Sequence, residues 1–135
     1  MNPEPAAART RVLLIDDSPA IRAGLRRFFE TAGYSVVAEA ADGAEGVKAY
    51  LEHRPDLVTL DLEMQPVGGM AALKEIRTAD PAARVMIVTA SFRRSDVLEA
   101  LSLGAGYVLR KPPRSQKLME AARRLLAREA ANWEG

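Results

Sequence analysis

The sequence contains no cysteine. Disulfide scaffolds, thiolate metal centres and cysteine nucleophiles are therefore excluded, and a reducing, cytoplasmic location is expected. Histidine occurs once, as His53 in "EHRPD", where it reads as a surface residue ahead of a loop. One histidine leaves no multi-histidine metal site, and a Ser-His-Asp hydrolase would have to be built on His53. No apolar run approaches the ~20 residues that a membrane-spanning helix needs, so no membrane association is expected. The formal net charge is only +1, which gives no overall pull toward nucleic acid. Helix-turn-helix patterning is absent too, and direct DNA binding is not expected.

What remains is the composition of a globular protein, with 48% hydrophobic and 27% charged residues in 135. That length favours one domain with a real core. The opening "MNPEPAAART" has prolines and no apolar centre, so residues 1–10 are expected to form a disordered arm rather than a signal peptide. Residues 11–131 are expected to form the domain, and residues 132–135, with Trp133, a tail.

Short apolar runs then alternate with amphipathic segments. "RVLLI", "YSVVAEA", "DLVTL", "RVMIVTA" and "YVLR" read as strands. Ser18-Pro19 is a helix-starting pair and Gly33 a stop, so the first helix spans Pro19 to Ala32, with Ile21, Leu25, Phe28 and Phe29 on one face. "DGAEGVKAYLEHRP" is a helix ended by Pro55. "GMAALKEIRTAD" is a third helix, with Leu73 and Ile76 inward. "RRSDVLEALSLGA" is a fourth, stopped near Gly104. "PRSQKLMEAARRLLAREAAN" is the last, with Leu118, Ala121, Ala122 and Leu125 inward. Arg114, Lys117, Arg123, Arg124 and Arg128 make that last helix basic. Five strand–helix repeats with apolar strands predict an α/β domain, a five-stranded parallel sheet wound on both faces.

In such a sheet, ligands bind beyond the carboxyl ends of the strands. There the sequence puts Asp16-Asp17, Asp61, Thr89-Ala90-Ser91 and Lys111-Pro112. Asp17 is not needed as a helix cap, because Ser18 suits that place. Asp61 lies some eight residues ahead of the third helix, too far to cap it. Three carboxylates held together repel one another, and a hard cation, Mg²⁺ or Mn²⁺, compensates them. A carboxylate beside such a cation can attack phosphorus to form an aspartyl phosphate. Lys111 and Thr89 can then contact phosphoryl oxygens, and the small Ala90 leaves access open.

On "LLIDDSP", "LVTLDLEM", "MIVTA" and "GAGYVLRKP", in that order and spacing, the chain resembles the receiver domain of two-component response regulators, of the stand-alone type. The resemblance implies a flavodoxin-like strand order 2-1-3-4-5. It implies Asp61 as the acceptor of a phosphoryl group from a phosphohistidine on a sensor kinase or a histidine phosphotransfer protein. It further implies that Asp17, Asp61 and the Glu63 main-chain carbonyl hold Mg²⁺, with Asp16 acting through water. Thr89 and Lys111 contact the phosphoryl group, and the Lys111–Pro112 peptide is cis. Phosphorylation shifts the helix four–strand five–helix five face, which controls a downstream protein target or a homodimer.

Two departures from the family pattern stand out. Counting back from Lys111-Pro112 puts Val108 in the usual aromatic position and Tyr107 one residue early. A one-residue offset turns a strand side chain to the other face, so Tyr107 is expected not to move with Thr89. After "DLEM", Gln65 stands where the family commonly has proline, and Pro66 follows. Gly69 keeps the family spacing. Two rivals share part of the pattern: a haloacid-dehalogenase-type phosphatase, through "LDLE", and an interaction-only pseudo-receiver. The first requires its nucleophile on the first strand, and Glu63 is a poor copy of its second aspartate. The full residue set argues against the second.

Overall fold

The computed structural model describes residues 9–132, with side chains up to residue 127. The arm assigned to residues 1–10 and the tail assigned to 132–135 lie largely outside the described residues, as does Trp133. Strands β1 (Arg11–Ile15), β2 (Ser35–Ala40), β3 (Leu57–Leu60), β4 (Val85–Thr89) and β5 (Tyr107–Arg110) alternate with helices α1 (Pro19–Thr31), α2 (Gly43–His53), α3 (Gly69–Ala79), α4 (Arg94–Ser102) and α5 (Ser115–Asn132). All neighbouring strands run parallel, in the order β2-β1-β3-β4-β5. The expected fold and strand order are both observed.

Alternation within the strands divides the core in two. Leu13, Ile15, Val58, Leu60, Val85 and Ile87 face α2, α3 and α4, where Tyr50, Leu73, Ile76 and Ala100 meet them. Val12, Leu14, Leu57, Met86, Val88 and Leu109 face α1 and α5, against Leu25, Phe29, Leu118, Ala121 and Leu125. The central strands β1, β3 and β4 are buried on both faces, so their sequences show no polar alternation. Each fully buried Leu or Ile stabilises the fold by roughly 1.5–3 kcal/mol. One register shift, between Val12 and Leu13, interrupts the β1–β2 pairing.

The helix signals act as their chemistry predicts. Ser18 Oγ accepts the Ile21 N–H, and Pro19 opens α1. Asp42 accepts the Glu45 N–H at the start of α2. Gly33 (φ +91°) and Gly104 (φ +101°) take left-handed conformations just past α1 and α4, which glycine adopts without a Cβ penalty. Arg54 ends α2 in the same region, at φ 45°. Each helix therefore starts at the carboxyl edge of the sheet and stops at the opposite one. All five βα loops are delivered to one side. No helix among the described residues is long and apolar enough to cross a membrane.

Candidate functional site

The carboxyl ends of β1 and β3 lie side by side, because Ile15 pairs with Leu60. Residues one step beyond the ladder must then converge. Asp61 N–H donates to the Ile15 carbonyl at 3.0 Å, and Asp16 N–H to the Ala40 carbonyl at 3.0 Å. Asp16 and Asp61 are 1% and 3% exposed, whereas Asp17 faces solvent. Asp16, Asp17 and Asp61 each offer a carboxylate oxygen within 4.8 Å of the other two. This hard, all-oxygen donor set, open to solvent on one side, fits a divalent cation that keeps part of its water shell.

Lys111 enters the cluster from the end of β5. Its Nζ lies 2.8 Å from Asp16 Oδ2 and 3.1 Å from Asp61 Oδ2. The second Asp61 oxygen, Oδ1, accepts the Glu63 N–H at 3.1 Å. Asp16 Oδ1 accepts the Ser18 N–H at 2.9 Å. Burial pushes the Asp16 carboxyl above its ordinary pKa and outweighs the hydrogen bonds from Lys111 and Ser18. Burial pulls the Lys111 ammonium down, but its hydrogen bonds and charge pairing with Asp16 and Asp61 prevail and hold it above the usual lysine value. The proton is favoured on both groups for different reasons, burial at Asp16 and pairing with Asp16 and Asp61 at Lys111.

Other groups fix the frame. Arg22 on α1 donates to the Asp16 carbonyl and pairs with Glu39 at 2.9 Å, clamping the end of β1 from behind. Gly69, the first residue of α3, lies so close to the end of β3 that an added Cβ would fall 1.9 Å from the Asp61 carbonyl oxygen. The loop from Leu62 to Gly68 is held against α2, where Gly43 N–H donates to the Val67 carbonyl at 2.8 Å. Met64 in this loop is buried, while Gln65 and Pro66 are exposed. The Lys111–Pro112 peptide is cis, and so is Gln65–Pro66, which the sequence reading did not anticipate.

Thr89 ends β4, fully buried. Its Oγ1 accepts the Ser91 N–H at 3.2 Å, and its carbonyl accepts the Lys111 N–H at 2.9 Å. Ala90 is exposed beside it. Val108 packs on the α2–α3–α4 side of the sheet, and Tyr107 packs on the α1–α5 side. Thr89 pairs with Arg110, two residues beyond Val108, and shares Val108's face. Tyr107 is therefore turned away from Thr89. The lone histidine, His53, sits at the end of α2, half-buried and 3.7 Å from Glu52.

The convergence of two strand-end acids, a third acid and a lysine on one edge is matched by the comparisons with known proteins. The family described as response regulator receiver domain matches residues 12–123. The chain belongs to the response regulator receiver domain family. This receiver domain is 41% identical to protein CcdB of Bacillus subtilis (strain 168) over 117 residues, 87% of this chain and 98% of that protein. It is 38% identical to the chemotaxis protein CheY of the same organism over 116 residues, 86% of this chain and 97% of that one. Among solved structures, a LuxR-family two-component response regulator from Aurantimonas sp. SI85-9A1 aligns with TM-score 0.83 and 39% identity, covering 89% of this chain and 86% of that one. The CheX–CheY–BeF3–Mg²⁺ complex from Borrelia burgdorferi aligns with TM-score 0.81 and 32% identity, covering 84% and 86%. The receiver domain is thus a regulatory phosphoacceptor switch with Asp16, Asp17 and Asp61 as its acidic pocket. Neither the phosphatase nor the pseudo-receiver reading is favoured.

Proposed function

We propose that Asp61 is the phosphorylated residue and that Mg²⁺, or Mn²⁺ in its place, is held by Asp17, Asp61 and the Glu63 main-chain carbonyl, with Asp16 acting through water. The observation that carries this reading is the holding of both Asp61 oxygens. Oδ2 is paired with Lys111 and Oδ1 with the Glu63 N–H, so the carboxylate is presented in a fixed orientation at the open edge of the sheet. The Mg²⁺ and BeF3 in the Borrelia relative's complex support the metal assignment.

In the proposed reaction, an Asp61 oxygen attacks phosphorus and the bond from phosphorus to the donor's imidazole nitrogen breaks. The electron pair leaves with the imidazole. A bound divalent cation supplies charge neutralisation at the phosphoryl oxygens. Lys111 moves from pairing two carboxylates to pairing a phosphoryl oxygen, and Thr89 donates its hydroxyl to another. The same site supports Mg²⁺-dependent self-phosphorylation from small phosphodonors and autodephosphorylation. The donor is a sensor histidine kinase or histidine phosphotransfer protein, and the output is a protein partner in the cytoplasm or a second copy bound through α4, β5 and α5.

The test is chemical trapping. The protein is treated with acetyl phosphate and Mg²⁺, then with borohydride, which reduces an acyl phosphate to the alcohol. Peptide mass mapping is expected to find homoserine at position 61 alone. Reduction at Asp16 or Asp17 instead, or turnover of phosphate esters without any trapped residue, would overturn the assignment.

A further inference from the structure

Val108 leaves room where the family pattern has a ring. A groove of about 600 Å³ opens there, lined by Phe92 from the β4–α4 loop, Tyr107, Val108 and Arg110 from β5, and Arg114 and Lys117 at the start of α5. Inside it, the Arg110 guanidinium lies over the Phe92 ring, 4.6 Å from its centre. A guanidinium over an aromatic face at this distance is an attractive contact.

Both residues are linked to Thr89. Phe92 lies a short way along the chain from it, and the intervening turn is tied to the threonine itself, since Ser91 N–H donates to Thr89 Oγ1 at 3.2 Å. Ser91 Oγ also donates to Asp96 Oδ2 at 3.1 Å, which fastens the turn to α4. Arg110 is the cross-strand partner of Thr89 and lies on the same face of the sheet. Tyr107, the nearby ring on β5, packs on the other face. The aromatic group that shares Thr89's side therefore comes from the loop.

We propose that Phe92 and Arg110 form the latch through which the state of Thr89 reaches the surface, the loop ring acting where β5 presents only Val108. This rests on the phosphoacceptor reading above. A Thr89 hydroxyl drawn to a phosphoryl oxygen turns away from the Ser91 N–H. The turn that this bond held shifts, and Phe92 leaves Arg110. The freed guanidinium joins Arg114 and Lys117 along the groove, so activation changes both the shape and the charge that a partner meets. Because the pair is closed while Thr89 Oγ1 holds the Ser91 N–H, it opposes activation in this scheme, and removing it favours the activated state.

The experiment is solution NMR of the full chain titrated with Mg²⁺ and beryllofluoride. At the start, the Arg110 δ-methylene and Nε–H resonances are expected upfield, under the ring current of Phe92. At saturation they are expected to return to ordinary arginine positions in step with the Ala90 amide. Phe92→Ala is expected to place them at ordinary positions from the outset. It is also expected to raise the apparent beryllofluoride affinity about two- to fivefold, the worth of one exposed cation–π contact. Phe92→Trp is expected to restore the upfield shift.

Several results would overturn the latch. Arg110 could stay upfield while the Ala90 amide responds fully, or lack an upfield shift at the start. The affinity of Phe92→Ala could be unchanged or lower. Each of these leaves the phosphoacceptor reading standing. No response at Ala90 to saturating beryllofluoride and Mg²⁺ overturns that reading, and the latch with it.

Discussion

Lys111 stands between two carboxylates, 2.8 Å from Asp16 Oδ2 and 3.1 Å from Asp61 Oδ2, with its side chain 15% exposed. Removing one partner of a buried ionic cluster leaves the others uncompensated. Lys111→Met keeps the volume and loses the charge. Without divalent cation, it is expected to destabilise the fold by about 3 kcal/mol. Mg²⁺ should raise the variant's unfolding midpoint more than it raises the wild type's, because the metal no longer competes with an ammonium for the same oxygens. Thermal unfolding of both proteins with and without Mg²⁺ checks this; equal shifts would mean that Lys111 and the metal do not share Asp16 and Asp61. The pH sign follows from the raised Lys111 pKa. Its contribution is full below the unfolded lysine range and is lost as pH rises through the higher folded value, so the effect of the substitution is undiminished at neutral pH.

At the scale of elements, two junctions matter, one beside the site and one at the opposite edge of the sheet. The first is the start of α3 against the end of β3. An added Cβ at Gly69 would lie 1.9 Å from the Asp61 carbonyl oxygen and 2.8 Å from the Leu62 Cα, both backbone atoms that cannot swing aside. Gly69→Ala is expected to cost about 3 kcal/mol of stability, as overpacking does, and to slow phosphorylation of Asp61 at temperatures where the variant is still folded. Urea unfolding and a labelling time course measure the two effects separately. The second junction ties the end of α2 to the end of α3, where the buried Tyr50 hydroxyl donates to Asp80 Oδ2 at 2.6 Å. That bond is the main reason the Asp80 carboxyl sits below its ordinary pKa. A depressed carboxyl contributes stability above its unfolded value, near ~4, and loses it as pH falls through the folded value. Tyr50→Phe is therefore expected to cost about 1.5–3 kcal/mol at pH 7, with the gap to wild type narrowing under acid. A gap unchanged down to full protonation of Asp80 would show that packing, not the hydrogen bond, is what the hydroxyl supplies.

For the molecule as a whole, the local signals in the chain were enough to place its layers. Ser18-Pro19, Gly33 and Gly104 mark helix ends wherever the chain goes afterwards, and the apolar runs of β1, β3 and β4 are long enough to read as doubly buried strands. Once those strands are parallel, Asp16, Asp61, Thr89 and Lys111 must share one edge, so the acidic pocket was legible before any coordinates. The contacts that depend on register or on side-chain reach were not. Arg22 reaches the Asp16 carbonyl from α1, yet in sequence it is one arginine among several on that helix. Phe92 and Arg110 meet across a loop and a strand, and neither belongs to an apolar periodicity that would draw attention to it. The β1–β2 register shift at Val12/Leu13 likewise has no mark in the sequence. The central claim is that Asp61 receives the phosphoryl group in a metal-dependent manner. Intact mass after incubation with acetyl phosphate tests it directly, on wild type and on Asp61→Asn, with Mg²⁺ and with a chelator. The account predicts one added phosphoryl group on the wild type with Mg²⁺, and none with the chelator or on the variant. Equal labelling of Asp61→Asn would contradict it.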